Sequence, residues 1–472
     1  MTKITFTLLV LTLFLENVNA QINFTLADPQ PDLIEVYGGS FASGDIDNDG
    51  DQDLLMTGLS PRTALYLNDG NGNFTEVTDI TIPDRVFSSV TEFGDLDGDG
   101  DLDLYISGNN DGGGIGIFTR IYLNDGTGDF TQLSNPLLPQ HQGRGAAIAD
   151  IDGDGDLDII ISAEDKNNQF VADTYLNDGN ANFTPSGSTA FIPVKFAAVA
   201  FIDVENDGDA DVIITGVQAN DTKLTRLYLN DGLGSYTVDT NTDFEDLQAD
   251  DIDVADTDND GDLDILMSGQ NTNFVPRTIL YLNNGIGQFT ELTDNNLQQT
   301  FVGANAIADL DNDGDQDILI MGSTNSNIFN IVYENLGNNE FEPVQTLGGE
   351  YIADCIIDDF NGDDLPDIII QGLVDNTNFY WNTSEILGIQ DQFAKQLLTI
   401  YPNPSNDIIN ISSIEDQLLK IELYSMTGSL IFKTDLNSNI YALNISNYPI
   451  GTYLLRVFSQ YNGIINKKIV KK

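Results

Sequence analysis

Apolar residues in this chain fall in short runs separated by stretches rich in Asp, Asn and Gly, a pattern that predicts strands joined by turns. One stretch shows the unit. Phe41 to Asp45 leads into an acidic loop, Leu54 to Thr57 is an apolar run stopped by Gly58, a third run carries Tyr66-Leu67, and a fourth begins at Phe74. Between the last two lies Asn68-Asp69-Gly70, a hairpin turn whose residues tolerate positive φ. Each unit is thus four short strands.

The unit recurs seven times. Acidic loops start at Asp45, Asp95, Asp150, Asp203, Asp256, Asp309 and Asp359, at intervals of 50, 55, 53, 53, 53 and 50 residues. A tyrosine follows each start by 21 to 27 residues (Tyr66, Tyr122, Tyr175, Tyr228, Tyr281, Tyr333, Tyr380), and in six units an aromatic lies eight residues further on. Four strands at this period predict an all-β fold, a seven-bladed β-propeller over residues 21–385. The last unit lacks a fourth strand after Tyr380-Trp381-Asn382, whereas Phe24 precedes Asp45 by 21 residues, as Phe74 precedes Asp95. The N-terminal strand is therefore expected to complete the seventh blade and close the ring.

The loops read D-x-D-x-D-G-D-x-D, and their nine positions supply the candidate metal ligands. These are Asp45, Asp47, Asp49, Asp51 and Asp53; Asp95, Asp97, Asp99, Asp101 and Asp103; Asp150, Asp152, Asp154, Asp156 and Asp158. The series continues with Asp203, Glu205, Asp207, Asp209 and Asp211; Asp256, Asp258, Asp260, Asp262 and Asp264; Asp309, Asp311, Asp313, Asp315 and Asp317. The seventh loop offers Asp359, Asn361, Asp363 and Asp367, with Asp364 where the others have Gly. Carboxylates at positions 1, 3, 5 and 9, with a backbone carbonyl at 7, are hard oxygen ligands suited to Ca²⁺. Position 12 is apolar throughout, from Met56 to Ile370, so position 9 is expected to close the shell as a bidentate ligand. So many carboxylates brought together without a cation would repel one another. Six or seven structural calcium ions are expected.

Charge and rare residues narrow the function. Asp plus Glu number 75 against 18 Lys plus Arg, a net charge of −57, which excludes nucleic acid as a partner. One cysteine, Cys355, allows no internal disulfide, and one histidine, His141, no multi-histidine metal site. Residues 1–20 read as a signal peptide: Lys3, then the apolar run Phe6 to Leu15, then small residues ending at Ala20. No later run is long enough for a transmembrane anchor. From Ile389 the composition changes to eight bases and six acids, and short alternating runs such as LLKIELYS and TYLLRVF predict a small C-terminal β-sandwich. Residues 386–396 read as a linker and 397–472 as this second domain.

Two resemblances follow from these motifs. The acidic loops at fixed period resemble the FG-GAP or VCBS repeats of integrin α-like propellers, which implies a calcium-binding propeller. Tyr401-Pro402-Asn403-Pro404, Leu423-Tyr424 with Gly428, the run Pro449 to Val457 and the basic end Lys467 to Lys471 resemble the type IX secretion sorting domain of Bacteroidetes. That resemblance implies the type IX machinery as a partner and a secreted or outer-membrane surface location. Acidic loops and Asn-Asp-Gly turns are expected on one face of the propeller. The length-variable loops of the other face hold the bases, and there Arg62, Arg85, Arg120, His141, Arg144 and Arg277 are the candidate ligand residues. The expected function is a non-enzymatic adhesion or glycan- or protein-binding module; the alternative is a calcium-dependent polysaccharide lyase or hydrolase.

Overall fold

The computed structural model describes residues 22–472 except 37, 59–61, 79–81, 111–115, 135, 294, 301–302, 325–326, 338, 349–351, 373–376, 385–397, 402–404, 406–407, 414–417, 426–429, 447, 450 and 460–462. The signal-peptide and linker readings fall outside the described residues. The chain divides into a compact unit, Ile22–Ser384, and a second unit that takes the C-terminal residues from Glu385.

The first unit contains seven four-stranded antiparallel sheets, numbered here by their acidic loops. Sheet 1 takes Phe41–Gly44, Asp53–Met56, Ala64–Asn68 and Phe74–Val77 in that order. Sheets 2 to 6 repeat this meander. Sheet 7 takes Ile352–Asp358, Asp367–Gly372 and Thr377–Asn382, and its fourth strand is the N-terminal Phe24–Leu26. In that pair Phe24 faces Asn382 and Leu26 faces Tyr380. The first strands follow one another round a ring: each neighbours the next, and Ile352–Asp358 neighbours Phe41–Gly44.

Burial explains the sequence pattern. A second strand is packed on both faces by adjoining sheets, so it reads as a continuous apolar run; Leu54, Leu55 and Met56 are all fully buried. Fourth strands lie at the rim, and Thr184–Pro185 is exposed. Cores straddle neighbouring sheets. One joins Ile213 and Leu227 of sheet 4 to Ile265, Met267 and Tyr281 of sheet 5, and another joins Leu54 and Tyr66 of sheet 1 to Ile369 and Phe379 of sheet 7. Each such aliphatic side chain contributes about 1.5–3 kcal/mol when taken from water.

The second unit holds a three-stranded sheet (Leu398–Tyr401, Ile408–Ser413, Ile440–Asn444) and a four-stranded one. The latter runs Leu430–Ser438, Leu418–Ser425, Gly451–Ser459, Gly463–Lys471. Ile409, Ile411 and Leu443 from the first and Ile421, Leu423, Leu455 and Val457 from the second share one apolar core.

Candidate metal centres

Each acidic loop joins the first and second strands of its sheet and is wound round its own carboxylates. Position 1 accepts two backbone N–H groups: Asp45 Oδ1 from Asp49 at 3.0 Å and Oδ2 from Gly50 at 3.0 Å. Position 5 accepts the N–H of position 7, as Asp49 Oδ1 does from Asp51. Tight winding needs left-handed backbone at positions 4 and 6. Position 4 is Asn48, Asn206, Asn259 or Asn312 at φ between 56° and 60°, or Gly98, Gly153 or Gly362 at 72° to 79°. In the seventh loop Asp364 takes the position-6 conformation at φ 70°. Asp359 still accepts from Asp363 and Asp364, so this loop keeps the common winding despite the missing glycine.

Position 9, the expected closing bidentate ligand, also braces the loop. Asp53 accepts Ile46 N–H at Oδ2 (3.0 Å) and Asn68 N–H at Oδ1 (2.8 Å), so both oxygens brace the loop and each keeps one further lone pair. Burial, opposed by these bonds, pushes Asp53 up to about 7, Asp103, Asp158, Asp211 and Asp264 to about 6, and Asp317 and Asp367 to about 8. Position 7, expected to offer its backbone carbonyl, uses its side chain elsewhere. The Asp51 side chain turns to its own sheet's hairpin, where a Cβ on Gly70 (φ +69°) would lie 2.3 Å from Asp51 Oδ1. Asp101 Oδ1 accepts from Asn48 of the preceding loop at 2.8 Å.

Five loops bring three carboxylates within 4.8 Å of one another: Asp45, Asp47 and Asp53; Asp95, Asp97 and Asp99; Asp150, Asp152 and Asp158; Asp256, Asp258 and Asp260; Asp309, Asp311 and Asp317. Loops 4 and 7, with Glu205 and Asn361 at position 3, form no such group among the described residues. The telling atom is at position 3. Asp47 Oδ1, Asp97 Oδ1, Asp152 Oδ1, Asp258 Oδ1, Asp311 Oδ2 and Asn361 Oδ1 are each buried with no hydrogen-bond partner. A buried acceptor without a donor is costly. Six loops orphan the same oxygen, and a hard cation is the partner that fits it.

A contact invisible to pattern reading locks these loops together. The Asn after each Tyr-Leu, Tyr-Glu or Tyr-Trp pair stands where the pattern predicts a turn. It ends its strand and donates Nδ2–H to the position-2 carbonyl of the preceding sheet's loop. Asn124 reaches Ile46, Asn177 reaches Leu96, Asn230 reaches Ile151, Asn283 reaches Val204, Asn335 reaches Thr257, Asn382 reaches Leu310 and Asn68 reaches Phe360, all at 2.7–3.0 Å. The Asn68 link joins sheet 1 to sheet 7. The tyrosines pin the connections between sheets: Tyr66, Tyr228, Tyr281 and Tyr333 hydroxyls accept N–H from Ile34, Ile192, Glu245 and Gln298.

The expected ligand face fares differently, because most of its bases already have partners. Arg62 pairs with Glu76, and Arg277 with Glu245 and Glu291. Arg120 donates to Tyr122 Oη at 3.1 Å and lies over the buried Phe118 ring. Arg85 is exposed, at φ 58°. His141 is fully buried rather than displayed, its Nε2 2.6 Å from Tyr105 Oη, and burial pushes its pKa down to about 4. Arg144 leaves the loop face altogether. From the start of sheet 3 it reaches first strands of two other sheets, Asp354 at 3.0 Å and Asp251 at 3.6 Å. Burial raises both acids and Arg144 opposes the rise. Each also ties neighbouring first strands, Asp354 accepting Phe41 N–H and Asp251 accepting Asn305 N–H.

A ring of four-stranded sheets whose acidic loops gather at one end defines a β-propeller-like repeat protein. The chain carries FG-GAP-like repeats, matched at residues 45–106, 95–161 and 309–370, and ends in a secretion system C-terminal sorting domain, matched at residues 399–472. That domain marks it for export to the cell surface or release, and implies contact with the type IX machinery. Among the described residues no helix is long and apolar enough to cross a membrane. No curated protein matches the chain. Solved structures similar to it include PorZ, an essential surface component of the type-IX secretion system of Porphyromonas gingivalis, at 12% identity and TM-score 0.42 over 94% of this chain and 60% of that one. AofleA from Arthrobotrys oligospora matches at 10% and 0.42, over 69% of this chain and 89% of that one. Trypanosoma rangeli sialidase matches at 9% and 0.34, over 95% and 87%. The chain spans 60% of the length of PorZ.

Proposed function

We propose that the protein is an exported, calcium-stabilised, seven-bladed β-propeller closed by its N-terminal strand and followed by a C-terminal β-sandwich, acting as a non-enzymatic binding module. The observation that carries the calcium reading is the orphaned position-3 oxygen in six loops. Positions 1, 3, 5 and 9, with the position-7 carbonyl, would hold the ion, which supplies charge neutralisation and cross-linking of the loop. With sites of ~10⁻⁴ to 10⁻³ M affinity at ~1 mM calcium, seven ions contribute roughly 3 to 10 kcal/mol. That is comparable to the stability of an ordinary domain. Elemental analysis of the purified protein, dialysed against trace calcium, is the test: six or seven ions per chain are expected, and none would sink the reading.

One observation favours the alternative, a polysaccharide hydrolase or lyase. Asp251 and Asp354, outside the acidic loops, converge on Arg144, and partly buried carboxyls with raised pKa suit general acid catalysis. Release of reducing ends from soluble polysaccharides, lost in Asp251→Asn and Asp354→Asn, would establish it.

A further inference from the structure

Two phenylalanines on adjacent sheets break a local rule that corresponding positions obey. The turns joining the second and third strands of sheets 3, 4 and 5 share one hydrogen-bond pattern. Asp165 N–H bonds Gln169 O and Asn168 N–H bonds Asp165 O; Gln218 and Asp221 do the same with Thr222 and Gln218, and Asn271 and Phe274 with Val275 and Asn271. The pattern sets one residue in the left-handed region: Asn168 at φ 57°, Asp221 at 63°, Phe274 at 59°. Asn and Asp tolerate that backbone; a bulky aromatic is an outlier there. Burial does not compensate, since Phe274 is 73% exposed. The second case is Phe196, at φ 50° and 61% exposed. It sits in the bulge of the first strand of sheet 4, where the matching bulge of sheet 2 has Ser88 at φ 46°.

Both rings are held by lysines at the end of the sheets away from the acidic loops. Lys223 Nζ lies 4.7 Å from the Phe274 ring centre and donates to Gln270 O and Asn271 O at 3.0 and 2.6 Å. Lys195 Nζ lies 5.6 Å from Phe196 and 3.6 Å from the Asp221 carboxylate. Lys195, Val217 and Lys223 pair in one row across sheet 4, which sets the two lysine backbones about 10 Å apart. Between them the turn presents Asn220, Asp221 and Thr222 to solvent.

Exposed rings kept on strained backbone, with lysines as the contacts that hold them, point to what they touch. We propose that Phe196 and Phe274 form a platform for a neutral polysaccharide chain. The rings stack on the apolar C–H faces of successive sugars, and the polar turn between them bonds the hydroxyls. The occupant is neutral because Lys195 already faces the Asp221 carboxylate, Lys223 spends its N–H groups on two backbone carbonyls, and the chain's net charge of −57 repels a polyanion. Two rings parted by polar groups match a sugar chain better than the contiguous apolar core of a protein interface. This deepens the binding-module reading and is independent of calcium occupancy.

The test is affinity electrophoresis of the full chain, with calcium, in gels containing laminarin, hydroxyethylcellulose, soluble starch, galactomannan or arabinoxylan, with polygalacturonate as the anionic comparison. At least one neutral polymer should retard the protein. Phe274→Asn and Phe196→Ser should each weaken that retardation roughly tenfold or more, with the melting temperature unchanged or raised, because Asn suits the left-handed backbone and Ser is the residue the matching bulge of sheet 2 carries. Retardation that survives both substitutions removes this site and leaves the binding-module reading standing. Retardation by polygalacturonate alone overturns the neutral-ligand proposal, and a lowered melting temperature in both variants makes the rings structural and overturns it too. Free migration in every gel counts against the site and the binding-module reading together.

Discussion

At the acidic-loop end, sheets 1 and 5 share contact after contact. Asn68 and Asn283 each donate to the preceding loop, and Asp53 and Asp264 each accept the same two backbone N–H groups. At the opposite end, one turn position is Asn168 in sheet 3, Asp221 in sheet 4 and Phe274 in sheet 5. The difference follows from what each side chain meets. A group bonded to the backbone of the next sheet holds two sheets in register, so its geometry is fixed by the ring. A side chain that faces water is fixed by nothing inside the molecule, and that end is free to differ for a partner.

The largest expected effect separates the two ends through calcium. Excess chelator should lower the melting temperature by many degrees, in line with roughly 3 to 10 kcal/mol across seven sites, while the far end keeps its turns. The pH dependence should also invert. Without the ion, Asp53 at about 7 and Asp317 and Asp367 at about 8 hold protons that the unfolded chain releases near the ordinary carboxylate value of about 3.9. Stability of the chelated protein is then greatest in acid and falls as pH rises toward 8. Calcium needs ionised ligands, so the loaded protein should lose stability as pH falls. His141, at about 4, opposes the first trend, as one group against seven. Melting curves at pH 5 and 8, with and without chelator, give all four arms; a common slope in both states would refute the loop reading.

Deleting residues 21–28 removes the strand paired with Thr377–Asn382 and the buried Phe24. Unfolding free energy should fall by about 3 kcal/mol or more, with aggregation through the opened edge; denaturant titration measures it. Arg144→Ala leaves Asp251 and Asp354 without their cation, and a loss of about 1–3 kcal/mol is expected. An unchanged melting temperature would show that these pairs contribute nothing to stability. Asn230→Ala breaks the bonds to Ile151 O and Ala210 O and should lower stability by about 1–2 kcal/mol without altering the calcium count. Arg62→Ala, at the far end, removes a partly exposed pair with Glu76 and should change stability by less than about 1 kcal/mol.

The sequence by itself determined the features that repeat: four strands per unit, the acidic loops, the Asn-Asp-Gly turns and the spacing that sends Phe24 to sheet 7. Those are local chemistry recurring at a fixed period, and periodicity can be read without coordinates. Even there it left signals unread, since Asn or Gly at every position 4 marks left-handed backbone as plainly as the glycine at position 6. Tertiary structure alone decided which side chains reach another sheet. Asn230 looks like any turn residue until Ile151 of the preceding loop stands 2.7 Å away, and nothing in the sequence around Asp51 says that its carboxylate lies against Gly70 of the hairpin. Arg144 and His141 lie in predicted loops, and loops usually lie on the surface. A ring encloses an interior, and Arg144 meets Asp251 and Asp354 on strands more than a hundred residues away. Such contacts depend on how sheets are disposed about an axis, which no local pattern encodes.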